Sequence, residues 1–402
     1  MKWFTAVSSV HGWPERSHSY EFLQAIATAV KRFTVKRLTA PSMTDHKRAT
    51  LKEVATRAGV SIATVSNVFS GRKPVNVDLR AKVEQAAKEL SYQVDRAASQ
   101  LRSGRAQVVG VLVPDLDDTF FTSLISRLEV MAQKNGYDVI VASSRDDMEI
   151  EESRLQTLLG WRPSGVIAVP CSNQVPAILS REARRLPMVL VDRVIAASAV
   201  VDTVTIDNFE AGRIAVAHLL DMGHTDIVLA ASHLDIAPIR ERIRGATTAA
   251  RGRHACDPIA VEVGSNADRG AELFGDWIEG NTVPSAVLAL TNVTTLAVLT
   301  ALARRGIDIP EHVSLIAFDD YPWMSARKTP LTAIRQPVNE IASAAWEQLK
   351  MRMEGDVSPP TPIVLHASRH DRASVRRVGS TVSGVPPRGN AESTTNTAMN
   401  MT

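Results

Sequence analysis

The stretch "LKEVATRAGVSIATVSNVFSG", residues 51–71, sets two short apolar patterns on either side of a glycine. Leu51, Val54, Ala55 and Ala58 follow i, i+3, i+4, i+7 spacing, one apolar stripe along a helix. Gly59 stands where a left-handed residue ends such a helix. Val60 can plug a small core, and Ser61 can N-cap the next helix. That second helix, Ile62 to about Phe69, turns Val65, Val68 and Phe69 inward and leaves Ile62, Ala63, Ser66 and Asn67 outside. Ala55 and Ala58 are small where the two helices cross. A third amphipathic helix, with Leu79, Val83, Ala86, Ala87 and Leu90 on one face, can close a three-helix core. This is helix-turn-helix geometry, in which the first turns of the second helix meet base edges in the DNA major groove. Two helices packed about a glycine also occur in proteins that touch no DNA.

Charge weighs toward DNA. Residues 44–105 carry twelve Lys/Arg against six Asp/Glu, and residues 1–43 carry six against two, yet the whole chain is only +3. The remainder is therefore acidic. A basic head on an acidic body is the footprint of a protein that meets phosphate with one part only. At 402 residues the chain is expected to form two or three domains. No run approaches the roughly 20 apolar residues of a membrane helix. "FLQAIATAV" (22–30) is short, broken by Gln24 and followed by Lys31 and Arg32, so it is not expected to be a targeting signal. Cys171 and Cys256 make neither a disulfide framework nor a metal-ligand pattern; both are expected to be core thiols in a reducing cytoplasm.

Along the chain, residues 1–48 show no sustained period and are expected to be a disordered extension, with Met43 a plausible true start. Residues 49–93 are helical. Beyond them, Val/Ile/Leu runs at 108–114, 138–143, 165–170, 187–192, 226–231, 285–290 and 313–319 alternate with amphipathic stretches. Near-continuous apolar strands separated by helices predict parallel sheets covered on both faces. The length predicts two doubly wound α/β subdomains with a cleft between them. Residues 378–402, rich in Gly, Ser, Thr, Pro and Asn, are expected to be a disordered tail.

The order of motifs is specific. "ATLKEVATRAGVSIATVSNVFSG" (49–71) and "AAKELSYQVDRAASQLRSGRAQVVGVLVPD" (86–115) precede "DDTFFTSLI" (117–125) and "VTIDNFEAGRIAVAHLLDMGHTDIVLAAS" (204–232). "IPEHVSLIAFDD" (309–320), "TPLTAIRQPVNEI" (329–341) and "RASV" (372–375) complete the series. Together they resemble the LacI/GalR (lactose-repressor) family of bacterial transcriptional regulators over residues 49–377.

That resemblance implies a dimer or tetramer bound to a near-palindromic double-stranded DNA operator. The base-reading positions correspond to Ile62, Ala63 and Asn67, with Thr64 and Ser66 at phosphate or groove wall; Thr50 and Ser61 complete the DNA-contacting set. Many relatives carry Arg at the position of Asn67. Arg favours guanine and Asn favours adenine, so the operator is expected to differ there. Residues 94–105 correspond to a hinge helix in which Leu101 wedges into the minor groove and Ala98 allows two hinges to approach. The usual Pro-Asn pair is replaced by Val94 and Asp95.

For residues 106–377 the resemblance implies a periplasmic-binding-protein-like body. Its chain crossings are expected near Ile206, Ile334 and Pro360, giving one lobe of 106–206 with 335–359 and another of 207–333 with 360–377. The effector set is Phe120, Phe121, Arg242, Thr291, Asp319 and Trp323. Arg242 only donates and Asp319 only accepts, a pair that can bracket a polyol. The expected effector is a sugar or sugar acid, with no cofactor or metal. Asp207 and Asn208 match a family pair read as structural. His224 is expected to be a surface or capping residue. The chain lacks a phosphate-binding glycine loop and a G-x-S-x-G elbow, so no enzyme is expected.

Overall fold

A computed structural model describes residues 49–70, 73–92, 107–194 and 200–379. The N-terminal extension, the hinge segment with Ala98 and Leu101, and the tail beyond residue 379 lie outside the described residues. The described chain divides into two compact units that part at Asp95 and Arg96.

The first unit holds three helices: α1 (Leu51–Ala58), α2 (Ile62–Ser70) and α3 (Val77–Glu89). A capping box starts α1: the Glu53 amide donates to Thr50 Oγ1 while the Thr50 amide donates to Glu53 Oε2 at 2.6 Å. Gly59 ends it at φ 65°, a conformation that costs glycine nothing. The Thr64 amide then donates to Ser61 Oγ at 3.0 Å, which opens α2. Val54, Ala55, Val65, Val68, Val83, Ala86 and Ala87 make the core, with Phe69 against Tyr92 at its edge. Leu79 departs from expectation and is solvent-exposed; Val75, just ahead of α3, packs against the core instead.

The second unit is built on two six-stranded sheets. The first has the order β11-β5-β4-β3-β1-β2. These are β1 (Val108–Val113), β2 (Asp138–Ser143), β3 (Gly165–Ala168), β4 (Met188–Val191), β5 (Asp202–Ile206) and β11 (Pro362–Leu365), all parallel. The second, β12-β10-β9-β8-β6-β7, joins β6 (Ile227–Ala231), β7 (Ile259–Glu262), β8 (Ala286–Ala289), β9 (Ser314–Phe318), β10 (Thr332–Arg335) and the antiparallel β12 (Ser368–His370).

Alternation along the strands divides the core as a pleat must. Val109, Val111 and Val113 of β1 face one side with Leu124 and Leu128 of α4 (Thr119–Lys134) and Trp346 of α12 (Val338–Met353). Leu112 faces the other, with Leu155 and Leu158 of α5 (Met148–Gly160) and Leu179 of α6 (Ala177–Glu182). In the second sheet Val228, Val287 and Leu315 meet α9 (Ala267–Gly280) and α10 (Asn292–Arg304). Leu229, Leu288 and Ile316 look toward α7 (Asn208–Asp221) and α8 (Ala237–Arg251).

The chain leaves the first sheet after Ile206 and returns after Arg335. The third crossing, expected near Pro360, comes instead after Leu365: Pro362 to Leu365 register with Thr203 to Ile206 as a parallel edge strand of the first sheet. Residues 362–365 therefore belong with the first lobe, because the open edge of β5 supplies a ladder for them. Cys171 is buried as expected, whereas Cys256 is exposed. His224 is buried rather than on the surface, its ring bridging Ser285 Oγ at 3.1 Å and the Arg376 carbonyl at 3.0 Å. No described helix is long and apolar enough to cross a membrane.

Candidate DNA interface and effector cavity

On the head, α2 spends Val65 and Val68 on the core and turns the rest outward. Ile62 is 47% exposed, Ala63 is exposed, and Thr64, Ser66 and Asn67 are half-buried along the same helix. An exposed isoleucine beside small and amide side chains is poorly suited to water and well suited to a groove of bases and thymine methyls. Thr50 and Ser61 sit at the helix starts. Thr50 is engaged in its capping box, and the Ser61 and Thr64 hydroxyls lie 2.9 Å apart, so the caps hold both side chains at the N-terminal ends that face phosphate in such modules. Arg57 is tied to α3 by Glu89, its Nε donating at 2.8 Å.

In the body, a small cavity of about 50 Å³ opens between the carboxyl ends of the two sets of strands, where an open α/β sheet presents its ligand site. It gathers five of the six expected side chains: Phe120 and Phe121 from the start of α4, Arg242 from α8, Thr291 before α10 and Asp319 after β9. Trp323 is not among the lining residues. It lies in the short helix α11 (Pro322–Ser325) and packs against the apolar core of the second lobe, so rim packing rather than stacking describes it.

Arg242 owes its position to two glycines. A Cβ on Gly212 of α7 would lie 1.9 Å from the Arg242 carbonyl oxygen, and one on Gly245 of α8 would lie 1.9 Å from that of Phe209. Only bare glycines let these helices cross so closely. The guanidinium, 3% exposed, then donates from Nε to Asn208 Oδ1 at 2.8 Å and from Nη1 to the Leu290 carbonyl at 2.5 Å. It also lies 3.7 Å above the centre of the Phe318 ring. Asn208 thus orients Arg242 from the first residue of α7, a structural role that serves the cavity.

Asp319 is buried at φ 62° and accepts from Gln336 Nε2 at 2.7 Å. Burial pushes its carboxyl up to about 7, against the pull of Arg242. Two further acids, absent from the sequence-based set, face the cavity. Asp118 caps α4 through the Phe120 amide and takes a 2.8 Å bond from Asn292 Nδ2, while burial raises its pKa. Asp192 follows β4 at φ 65°, and burial likewise raises its pKa against Arg242 and Arg193. Arg193, also in the lining, pairs with Asp146 and stands over the Phe121 ring.

Asp192 and Arg193 lie at the end of the apolar run at 187–192, at the carboxyl end of a parallel strand; that position was the signal that could have found them. Asp118 and Asn292 also join one lobe to the other. Asn173 does the same on its side, donating to the Asp235 carbonyl and accepting from the Ala237 amide, both at 2.6 Å. The lobes are thereby drawn together over the cavity.

Two family models match the chain: that of bacterial regulatory proteins, lacI family, over residues 50–95, and that of the periplasmic binding protein-like domain over residues 216–375. The HTH-type transcriptional regulator PtxS of Pseudomonas plecoglossicida is 31% identical over 329 residues, which cover 81% of this chain and 96% of the relative. Among solved structures, the lac repressor dimer bound to operator and the anti-inducer ONPF superposes with a TM-score of 0.73 at 26% identity, over 82% of this chain and all of that one. The complex of the transcriptional regulator CelR with cellobiose gives 0.61 at 25% identity, over 81% of this chain and all of that one. These relatives are transcriptional regulators rather than enzymes. The chain belongs to the lacI family of bacterial regulatory proteins: it is a helix-turn-helix transcriptional regulator of repressor type, with a body that takes a small-molecule effector.

Proposed function

We propose that the chain represses transcription by placing α2 in the major groove of a near-palindromic operator, and that a polyhydroxylated small molecule in the cavity resets operator affinity. The observation that carries the effector half is Arg242 and Asp319 in opposite roles in one buried cavity, a donor and an acceptor beside the Phe120 and Phe121 rings. CelR, a similar structure, is complexed with cellobiose, which supports a sugar-like ligand here. Ile62, Ala63 and Asn67 read bases, Thr64 and Ser66 line the groove, and Thr50 and Ser61 meet phosphate. The segment 94–105 acts as a hinge with Leu101 as minor-groove wedge and Ala98 at the contact between two hinges.

The working form is a homodimer. Both sheets end in half-exposed strands, β2 with Val141 and β7 with Ile259, and Trp161 is 58% exposed at the end of α5 near β2. Unpaired strand edges beside apolar side chains suit self-association. A dimer also matches the two halves of a near-palindrome. Its setting is the bacterial cytoplasm, where the DNA is and where two unpaired cysteines stay reduced.

The test is operator binding by purified protein, with DNA from upstream of its own gene, with and without a panel of sugars, amino sugars and sugar acids. Salt-sensitive binding that one compound shifts tenfold or more is the expected result. Binding to the operator and to random DNA with equal affinity, unmoved by every compound, would overturn it.

A further inference from the structure

The charges that face the cavity do not balance. Asp118 is satisfied at the start of α4 by the Phe120 amide and by Asn292. Arg193 also lines the cavity, paired with Asp146 and felt by Asp192. Four carboxyls, those of Asp118, Asp146, Asp192 and Asp319, thus stand against the two guanidiniums of Arg193 and Arg242, and Asp319 feels only that of Arg242. The segment 195–199, "IAASA", adds no charge.

Most donors at the cavity are spent, the Ser232 hydroxyl and the rest of the Arg193 guanidinium aside, and acceptors are left over. Arg242 Nε and Nη1, Asn292 Nδ2, Gln336 Nε2 and the Phe120 and Ala237 amides all donate within the protein. Of the Arg242 donors only Nη2 remains. On the other side, the Asp192 carboxyl and the second Asp319 oxygen accept nothing among the described residues, and Gln336 Oε1 is buried with no partner. Buried acceptors and an unmatched carboxylate are stabilised only by hydrogen-bond donors and positive charge.

We infer that the effector carries a protonated amine: an amino sugar or similar aminated polyol whose ammonium group sits between Asp192 and Asp319, with its hydroxyls on Arg242 and Gln336. This rests on the polyol reading of the cavity and makes it more specific. An ammonium supplies three donors and one positive charge, which matches the deficit in both respects. A carboxylate ligand, by contrast, meets an excess of carboxyls over guanidiniums.

The same groups set a sign for pH. Asp319 is faced by Asp118 from α4, Asp192 and Arg193 beyond β4, Arg242 from α8, Gln336 beyond β10, and Tyr321, whose phenol burial keeps neutral. Its carboxyl titrates near 7 because burial outweighs Arg242. A cation in the cavity favours the ionised form, so binding releases a proton from Asp319 and tightens as pH rises through about 7, up to the pH at which the ligand's own amine loses its proton. An anion would take a proton up and weaken over the same range.

The experiment is calorimetric titration of the full chain with matched sets: glucose, glucosamine, N-acetylglucosamine and gluconate, and the corresponding galactose and mannose series. In one series the free amine is expected to bind at least tenfold tighter than its hydroxyl, N-acetyl and acid counterparts. Asp192→Asn should cut that preference to threefold or less; asparagine tolerates the left-handed backbone at this position, and a thermal melt checks the fold. A neutral sugar or sugar acid that binds as tightly as the amine overturns the inference and leaves the polyol reading standing. Silence from all the series overturns both.

Discussion

Helix α2 and the cavity both hold side chains that are left without a full set of partners among the described residues, and they differ in where those side chains sit. On α2, Ile62 and Ala63 are exposed and Asn67 is half-buried, so their partner can be absent at little cost. Around the cavity, Asp319, Arg242 and Gln336 are almost fully buried, so the missing partner leaves unmatched charge and an orphaned acceptor. The head waits for DNA as a surface. The body waits for its ligand as a strained electrostatic arrangement.

Arg242→Met strikes the difference hardest. It leaves Asp319 buried with no cation and Asp192 with Arg193 alone, so the body should lose about 3–5 kcal/mol of stability. A thermal melt reads this, and effector binding should fall at least a hundredfold by calorimetry, with the helices of the head unchanged. Next comes Gly245→Ala, whose Cβ meets the Phe209 carbonyl and forces α7 and α8 apart. A cost of about 1–3 kcal/mol is expected, together with weaker effector binding because Arg242 rides on α8. Asn67→Ala should remove about 1–3 kcal/mol of operator discrimination without touching the melt of the body. Asn67→Arg should move the preferred base there to guanine in a binding-site selection.

Thr50→Ala is the mildest, about 1 kcal/mol from the lost cap, confined to the head and visible in hydrogen exchange of α1. The pH dependence sharpens the contrast from the other side. The Asp319 carboxyl titrates near 3.8 when unfolded and near 7 when folded, so between those values the native state holds a proton that the unfolded chain has released. This group therefore subtracts stability as pH climbs through that window, and Asp319→Asn should flatten the slope in melts of the body.

Much of this was legible in the chain. The head was, because its core is local: Val54, Val65 and Val83 repeat at helical spacing and Gly59 marks the turn. Seven strands were: six are central parallel strands, apolar throughout, and the edge strand β2 shows through its Val139–Val141 run. The strand Asp202–Ile206 escaped a reading by apolar runs because it buries Asp202, Thr203 and Thr205, with Arg352 paired to Asp202 at 2.7 Å. Edge strands such as Ile259–Glu262 escaped because half their surface is open. Leu79 was misread because a periodic residue in the first turn of a helix need not have a neighbour to pack on.

In the site, Phe120, Phe121, Arg242, Thr291 and Asp319 came through a family resemblance and lie together. Asp118, Asp192 and Gln336 come from three separate loops, and spacing along a chain carries no record of which loops converge. The misplaced third crossing has the same origin, since Pro362–Leu365 is too short and too exposed to announce the sheet it joins.

The most direct test measures operator binding by the native chain, Asn67→Ala and Arg242→Met side by side, each with and without the compound that shifts the native protein. The account predicts that Asn67→Ala loses operator affinity tenfold or more but keeps its effector binding, while Arg242→Met binds operator and no longer responds. An Arg242→Met protein that is folded yet still responds, or an Asn67→Ala protein with native operator affinity, would contradict it.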